Sequence, residues 1–358
     1  RHIIHRNTKG AWQGLVAAPG SEKWVTAAFP LSPPSAGRPA VYALGADERR
    51  LVYRATDGHL HELSGPSDVW KNIAWARQNL TQKLGLPKAA ADPSVVVANG
   101  VPHVIYVDGT GRVHELWFDG RWRHFHLPAM PLAEGGAVAS LDGSTLRVMY
   151  RSMYGVPYEQ SLELGSATPD QRPWRTDGVH RLPALGQPLG LTVSGRREAV
   201  MLAARAWPRE APYVFDWNER RRVPGYRTYE GKRNTLVYAT EIGQRFKDLI
   251  SIDHTTDELA GAFALVSNPE RSQHYLAYRD TKGTIRESVH RGKNWTATEP
   301  YEPDAAPPAK GDPIGWIDGK TGNRHYVYQD ERGDIHKLTF DGKWTHKALS
   351  KSTDQAQP

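Results

Sequence analysis

The sequence predicts an all-β protein made of repeated four-stranded antiparallel sheets, and three observations carry that prediction. The first is a recurring sentence. Tyr106 to Trp122, YVDGTGRVHELWFDGRW, reads as a strand ending at Tyr106, a polar turn closed by Gly111, a strand VHELWF, and a turn at Asp119-Gly120 before Trp122 opens another strand. Alternating apolar and polar residues between Asp/Gly turns are the mark of hairpins. The second is a fixed offset: Gly10, Gly58, Gly111, Gly155, Gly283 and Gly333 each stand five residues after an anchor, namely His5, Tyr53, Tyr106, Tyr150, Tyr278 and Tyr328. The third is a proline about fourteen residues before the anchor, at Pro39, Pro93 and Pro313, where a strand can start without losing a ladder donor.

Taken in order, the first unit (1–30) supplies three strands, HIIHR, WQGLVA and WVTAAF, and lacks the leading strand. The Tyr53, Tyr106 and Tyr150 units follow. The proline offset extends the pattern through the eroded middle: Pro188 precedes Leu202 by fourteen residues, and Pro224 precedes Tyr238, which has its own Gly243. With Tyr278 and Tyr328, the anchors recur about every 46 residues. A step of roughly 40–50 residues holding four strands is the sequence form of a propeller blade, because one sheet cannot bury both faces alone and stacking on neighbours does so. The expected fold is therefore a β-propeller of seven blades if the Leu202 and Tyr238 units merge, or eight if they do not. It occupies 1–350 as one domain, with a short helical connection about 68–86 and a polar tail at 351–358.

Composition narrows the function. No apolar run approaches the ~18 residues of a membrane span, so membrane insertion is not expected. Zero cysteines remove disulfides and thiolate metal sites. The net charge of +7 is scattered, with Arg220–Arg222 the single short cluster, so no nucleic-acid partner is expected. The chain opens in mid-strand at Arg1 without a signal-peptide pattern, which leaves residues upstream open. No phosphate-cradling glycine loop, HExxH, GxSxG or sialidase box occurs, WD is absent, and His124-x-His126 reads as ordinary surface. No cofactor, metal or catalytic residue is expected.

Nine residues after the anchor, four units carry Glu62, Glu115, Glu159 and Glu287. The position shares a face with apolar Leu60, Val113 or Ile285, so a carboxylate there needs partners. Arg54, Arg151 and Arg279, one after their anchors, are expected to face the Glu across the hairpin, and a plain cross-strand ion pair is one reading, worth ~0.2–1 kcal/mol. The other reading is a sugar site, in which charged groups hold hydroxyls and a tryptophan stacks on the ring. Trp24, Trp70, Trp122, Trp174, Trp295 and Trp344 all follow the second strand of their units, a pattern that inter-sheet packing also explains.

The stretches LPKAAADPSVVVANGVPHVIYVDGTGRVHELWFDGRW and APPAKGDPIGWIDGKTGNRHYVYQDERGDIHKLTFDGKW resemble the repeats of bacterial and fungal β-propeller lectins, including the fucose-binding fungal type and the Photorhabdus seven-bladed type. The resemblance covers 38–128 and 258–350 well, 135–183 fairly and 184–257 poorly. It implies that Glu62, Glu115, Glu159 and Glu287 match the family's sugar-binding Glu and that Trp70, Trp122 and Trp295 match its aromatics. Arg50 and Arg147, three before their anchors, stand nearest its Arg, while His103 and Tyr275 occupy that place in two other units. The implied function is a multivalent, non-catalytic lectin for cell-surface or extracellular glycans, fucose-like monosaccharides among them, acting outside the cell. Two rivals remain: a protein-binding propeller that targets or scaffolds a larger secreted, toxin-like assembly, and a glycan-cleaving enzyme using paired carboxylates.

Overall fold

The repeating turn shows why the glycine offset is fixed. In the computed structural model, Gly58, Gly111, Gly283 and Gly333 have φ of 84, 84, 84 and 88°, a left-handed backbone that side chains resist. Two residues after Tyr106, the Asp108 side chain accepts from Thr110 N (2.8 Å) and Arg112 N (3.0 Å), and Gly111 N donates to Asp108 O (3.0 Å). Asp280 and Asp330 bind their own turns in the same way. The aspartate organises the turn, and the glycine lets it close.

The structure describes residues 2–7, 11–17, 23–28, 33–45, 48–66, 75–128, 131–153, 157–168, 171–178, 189–193, 196–203, 213–216, 221–224, 235–242, 245–251, 259–268, 273–291, 294–297 and 306–350. Side chains are described in these except 2, 27, 28, 177–262, 291, 294, 295 and 297. Strands β1 (His2–Arg6), β2 (Trp12–Val16) and β3 (Val25–Ala28) form a three-stranded sheet. Next come β4 (Ala40–Leu44), β5 (Glu48–Arg54), β6 (Leu60–Pro66) and β7 (Ala76–Asn79), a four-stranded sheet in sequence order, and the one-turn helix α1 (Leu80–Lys83). The same simple order holds for β8 (Ser94–Ala98), β9 (Val101–Val107), β10 (Val113–Phe118) and β11 (Trp122–His126). It holds again for β12 (Ala133–Asp142), β13 (Thr145–Ser152), β14 (Pro157–Glu163) and β15 (Arg175–Gly178). In the eroded middle, β16 (Leu189–Val193) and β17 (Arg196–Ala203) are followed by the hairpin β18 (Tyr213–Asp216) and β19 (Arg221–Pro224). Then β20 (Thr235–Ile242) and β21 (Arg245–Ser251) complete the sheet β16-β17-β20-β21. The last two sheets are β22 (Leu259–Asn268), β23 (Gln273–Asp280), β24 (Ile285–Arg291), β25 (Asn294–Ala297), and β26 (Ile314–Ile317), β27 (Arg324–Gln329), β28 (Ile335–Phe340), β29 (Trp344–Ala348).

Among the described residues there are thus six four-stranded blades, not the seven or eight expected. A leading strand does begin at Leu189, but Pro224 ends β19. Among the described residues the Tyr238 unit has no leading strand of its own, and β20 pairs with β17 instead. The first unit contributes only three strands. Within the stretch 68–86, Ala76–Asn79 is a strand and helix is confined to Leu80–Lys83, where the Asn79 side chain caps Gln82 N; residues 67–74, including Trp70, lie outside the described residues.

The chain forms two compact units: Arg1–Ile3 with Leu15–Thr26 and Ile250–Pro358, and Ile4–Gly14 with Ala27–Leu249. Inside the second, Tyr42, Val52 and Leu60 of one sheet pack against Val104, Tyr106, Leu116 and Trp122 of the next. The opposite face of that next sheet, with Ile105 and Val113, packs on Ala137, Val148, Tyr150 and Trp174. Inside the first, Val266, Tyr275 and Ala277 meet Tyr326, Tyr328 and Leu338. Both faces of a sheet are therefore buried between neighbours. A backbone clasp repeats at three junctions: Ala89, Ala133 and Ala309 each donate N–H to the repeat glycine of the preceding sheet, Gly58, Gly111 and Gly283, at 2.8 Å.

Candidate binding site

The repeated glutamates lie on the third strand of their sheets, on the face covered by the following sheet, and all are buried: Glu62 is 1% exposed, Glu115 0%, Glu159 2% and Glu287 5%. A carboxylate so placed is tolerated only with charge and hydrogen-bond partners, and each has them. Glu62 accepts from Arg50 Nη1 at 3.2 Å and also from Tyr42 Oη and Gln78 Nε2. Glu159 accepts from Arg147 Nη1 at 2.9 Å. Glu115 meets His103 Nδ1 at 2.8 Å and Arg172 Nε at 2.7 Å. Glu287 accepts from Arg324 Nε and Nη2, both at 2.8 Å, and from Tyr326 Oη at 2.5 Å.

Three of the residues placed three before the anchors contact the glutamate of their own sheet: Arg50 with Glu62, His103 with Glu115, and Arg147 with Glu159. The arginines directly after the anchors do not fill that role. Register places Arg54 opposite Leu60, Arg151 opposite Pro157 and Arg279 opposite Ile285, whereas Glu62, Glu159 and Glu287 sit opposite Val52, Met149 and Ala277. The hairpin is centred one residue before the glycine, whereas the facing-pair expectation centres it on the glycine itself. These arginines reach other acids instead: Arg54 to Asp92 (3.5 Å), Arg151 to Glu134 (2.8 Å) and Arg279 to Asp312 (3.9 Å).

The aromatics come from the following sheet. Phe118 lies 5.3 Å from the Arg50 guanidinium carbon, and Trp122 packs on Phe118 at 5.5 Å. Trp122 is 8% exposed, shares an apolar cluster with Tyr42, and its indole N–H has no hydrogen-bond partner among the described residues. Phe340 and Trp344 repeat this pair near Glu287, their rings 5.1 Å apart, but Arg324 lies 4.0 Å over Phe340. Trp174 is buried against the Glu115 sheet, also with its N–H unpartnered among the described residues. Trp295 lies on β25 with its side chain outside the described residues, as does all of Trp70. Lys337 takes the Glu position in the last sheet and is buried.

Electrostatics follow from this geometry. Burial pushes the Tyr42 hydroxyl far above its ordinary value, and the charge of Glu62 adds to the effect, so Tyr42 keeps its proton and donates it to Glu62. Burial pulls on Arg324 in the opposite sense, but the hydrogen bonds and charge of Glu287 raise its pKa overall. Arg324 is thus a fixed cation. Sequence reasoning missed Tyr42, Gln78, Arg172, Arg324 and Tyr326. None sits at a constant offset from a glycine, and only the nearness of Arg172 to Trp174 hinted at a role. A groove of about 750 Å³ lies at the Asp108 turn beside Lys88, Thr110, Arg112 and Leu132; the glutamates do not line it.

The fold and these niches define an all-β propeller of four-stranded antiparallel blades with acid, cation and aromatic groups between successive sheets. Solved structures with a similar fold include lectins. BP39L lectin from Burkholderia pseudomallei is 13% identical, with 98% of this chain and 95% of that chain covered and a TM-score of 0.68. The Aleuria aurantia lectin, a six-bladed β-propeller described by its fucose recognition mode, is 12% identical over 88% of this chain and 96% of its own, at a TM-score of 0.54. AofleA from Arthrobotrys oligospora is 11% identical, with 88% of each chain covered and a TM-score of 0.53. At these identities the likeness is one of fold. No family model and no curated protein matches the chain.

Proposed function

We propose that the protein is a carbohydrate-binding lectin that holds its ligand without turnover, at niches between successive sheets. The observation that carries this reading is the Glu62 niche. Arg50, Tyr42 and Gln78 converge on one carboxylate, and the next sheet supplies Phe118 and Trp122, the latter with a buried, unpartnered indole N–H. A sugar needs this combination: aromatic faces for its C–H groups and charged or amide groups for its hydroxyls. The Glu159–Arg147 pair repeats the acid and cation of this niche. The fucose recognition of the Aleuria lectin supports a fucose-like monosaccharide as the first ligand to try. Repetition of shallow niches would raise weak affinity by multivalency.

The test is tryptophan emission titrated with a panel of monosaccharides and α-methyl-L-fucoside. A saturable change with at least one sugar, reduced at least tenfold in affinity by Trp122→Ala, is expected. A folded sample that responds to none of the panel contradicts the reading.

A further inference from the structure

Two of the four glutamates are held by an arginine from the following sheet, and the manner of holding differs from the other two. Arg172, just before β15, donates Nε to Glu115 Oε2 at 2.7 Å and Nη2 to Oε1, with its guanidinium carbon 4.1 Å over the Trp117 ring. Arg324, opening β27, forks onto both oxygens of Glu287 and lies 4.3 Å over Tyr275 and 4.0 Å over Phe340. Each arginine is 8% exposed. Arg50 and Arg147 behave otherwise. They come from the neighbouring strand of the same sheet, place Nη1 on the glutamate, and give Nε to Glu48 and Asp142.

A carboxylate that takes two parallel N–H groups while an aromatic face covers the cation matches guanidinium in shape, charge and donor geometry, and matches an ammonium poorly. Each niche also holds a second partner that remains when the arginine is gone: His103 on Glu115 and Tyr326 on Glu287. We propose that the Glu115 and Glu287 niches are guanidinium-recognition sites, occupied in cis by Arg172 and Arg324 and thereby closed to external ligands. Emptied, each takes an alkylguanidinium, the chemistry of an arginine side chain. The arginines also form an ion pair from one sheet to the next, whereas the Arg50–Glu62 and Arg147–Glu159 pairs lie within a single sheet.

The experiment uses the full chain carrying Arg172→Ala, a variant that leaves Glu115 partnered by His103, and methylguanidinium as the probe at concentrations far below denaturing. The expected result is a saturable rise in Tm and a saturable change in tryptophan emission, since the guanidinium returns to the face of Trp117. Wild type and the Arg172→Ala/Glu115→Gln double variant are expected to show neither. Arg324→Ala, in which Tyr326 still serves Glu287, is the second variant and is expected to behave alike, so a folding failure in one leaves the other decisive. Equal responses in wild type and variants, or none in any, overturn the proposal. No sugar enters the measurement, so it stands or falls apart from the carbohydrate reading.

Discussion

Asp108, His114 and His124 form a hydrogen-bonded chain that acidification has to break. His114 Nε2 lies 3.0 Å from Asp108 Oδ2, His114 Nδ1 lies 2.9 Å from His124 Nε2, and Tyr106 stacks on His114 at 4.6 Å. Burial lowers both histidines, His124 to about 4, with His114 and His126 adding repulsion. Asp108 is raised by burial but held at about 2 overall by bonds from His114, Thr110 and Arg112. Unfolded histidine takes its proton near 6.5, above the folded value, so the neutral chain stabilises fully above that pH and loses its contribution as pH falls toward about 4. Urea midpoints measured from pH 7 to 4 should fall across this window, and His124→Gln should flatten the fall. A midpoint independent of pH would refute the assignment. At Glu287 the pair is the issue: Glu287→Ala strands the buried Arg324 and should cost about 3–5 kcal/mol in chemical denaturation, with Glu163→Ala, at an exposed strand end, as the neutral control. The glutamates were legible in the sequence because they sit at a constant distance from a glycine. Their partners Arg172 and Arg324 were not, because pairing between sheets leaves no fixed offset.

Hairpins and their junctions are the units that the sequence spells out. Gly111 combines two demands: its φ is 84°, and a Cβ there would stand 2.7 Å from Ala133 O and 3.2 Å from Leu132 Cβ. Gly143 has φ of 58° with nothing within 4 Å. Gly143→Ala should therefore cost only the backbone term, about 1 kcal/mol. Gly111→Ala should cost clearly more, because the clasp from Ala133 N to Gly111 O must also move; equal Tm losses for the two would contradict the clasp. The offset was readable because the conformation excludes other residues. Blade number was not readable in the same way. The β18–β19 hairpin lies between β17 and β20 in sequence, so two apparent repeats make one sheet, and a pattern of anchors cannot distinguish a new blade from an insertion within an old one. The helical reading of 68–86 failed over Ala76–Asn79 for a related reason: side-chain pairing with Leu63 and Ser64 across β6 outweighs local helical spacing.

Across the whole molecule, net charge and site chemistry make separate predictions. A chain of +7 with scattered cations should be retained on a sulfated polysaccharide matrix by screened attraction and released by raised salt. Binding through the glutamate niches should persist at that salt, because buried pairs are screened much less. Elution by free monosaccharide at high salt separates the two, and binding that vanishes with salt alone would leave only non-specific charge. The central claim is that a sugar seats at the Glu62 niche against Trp122. A crystal structure grown with the tightest-binding monosaccharide of the panel tests it most directly. Density is expected for a sugar ring on Trp122, with hydroxyls within hydrogen-bond distance of Arg50, Tyr42 or Gln78. A sugar bound at full occupancy elsewhere, with this niche unchanged, would contradict it.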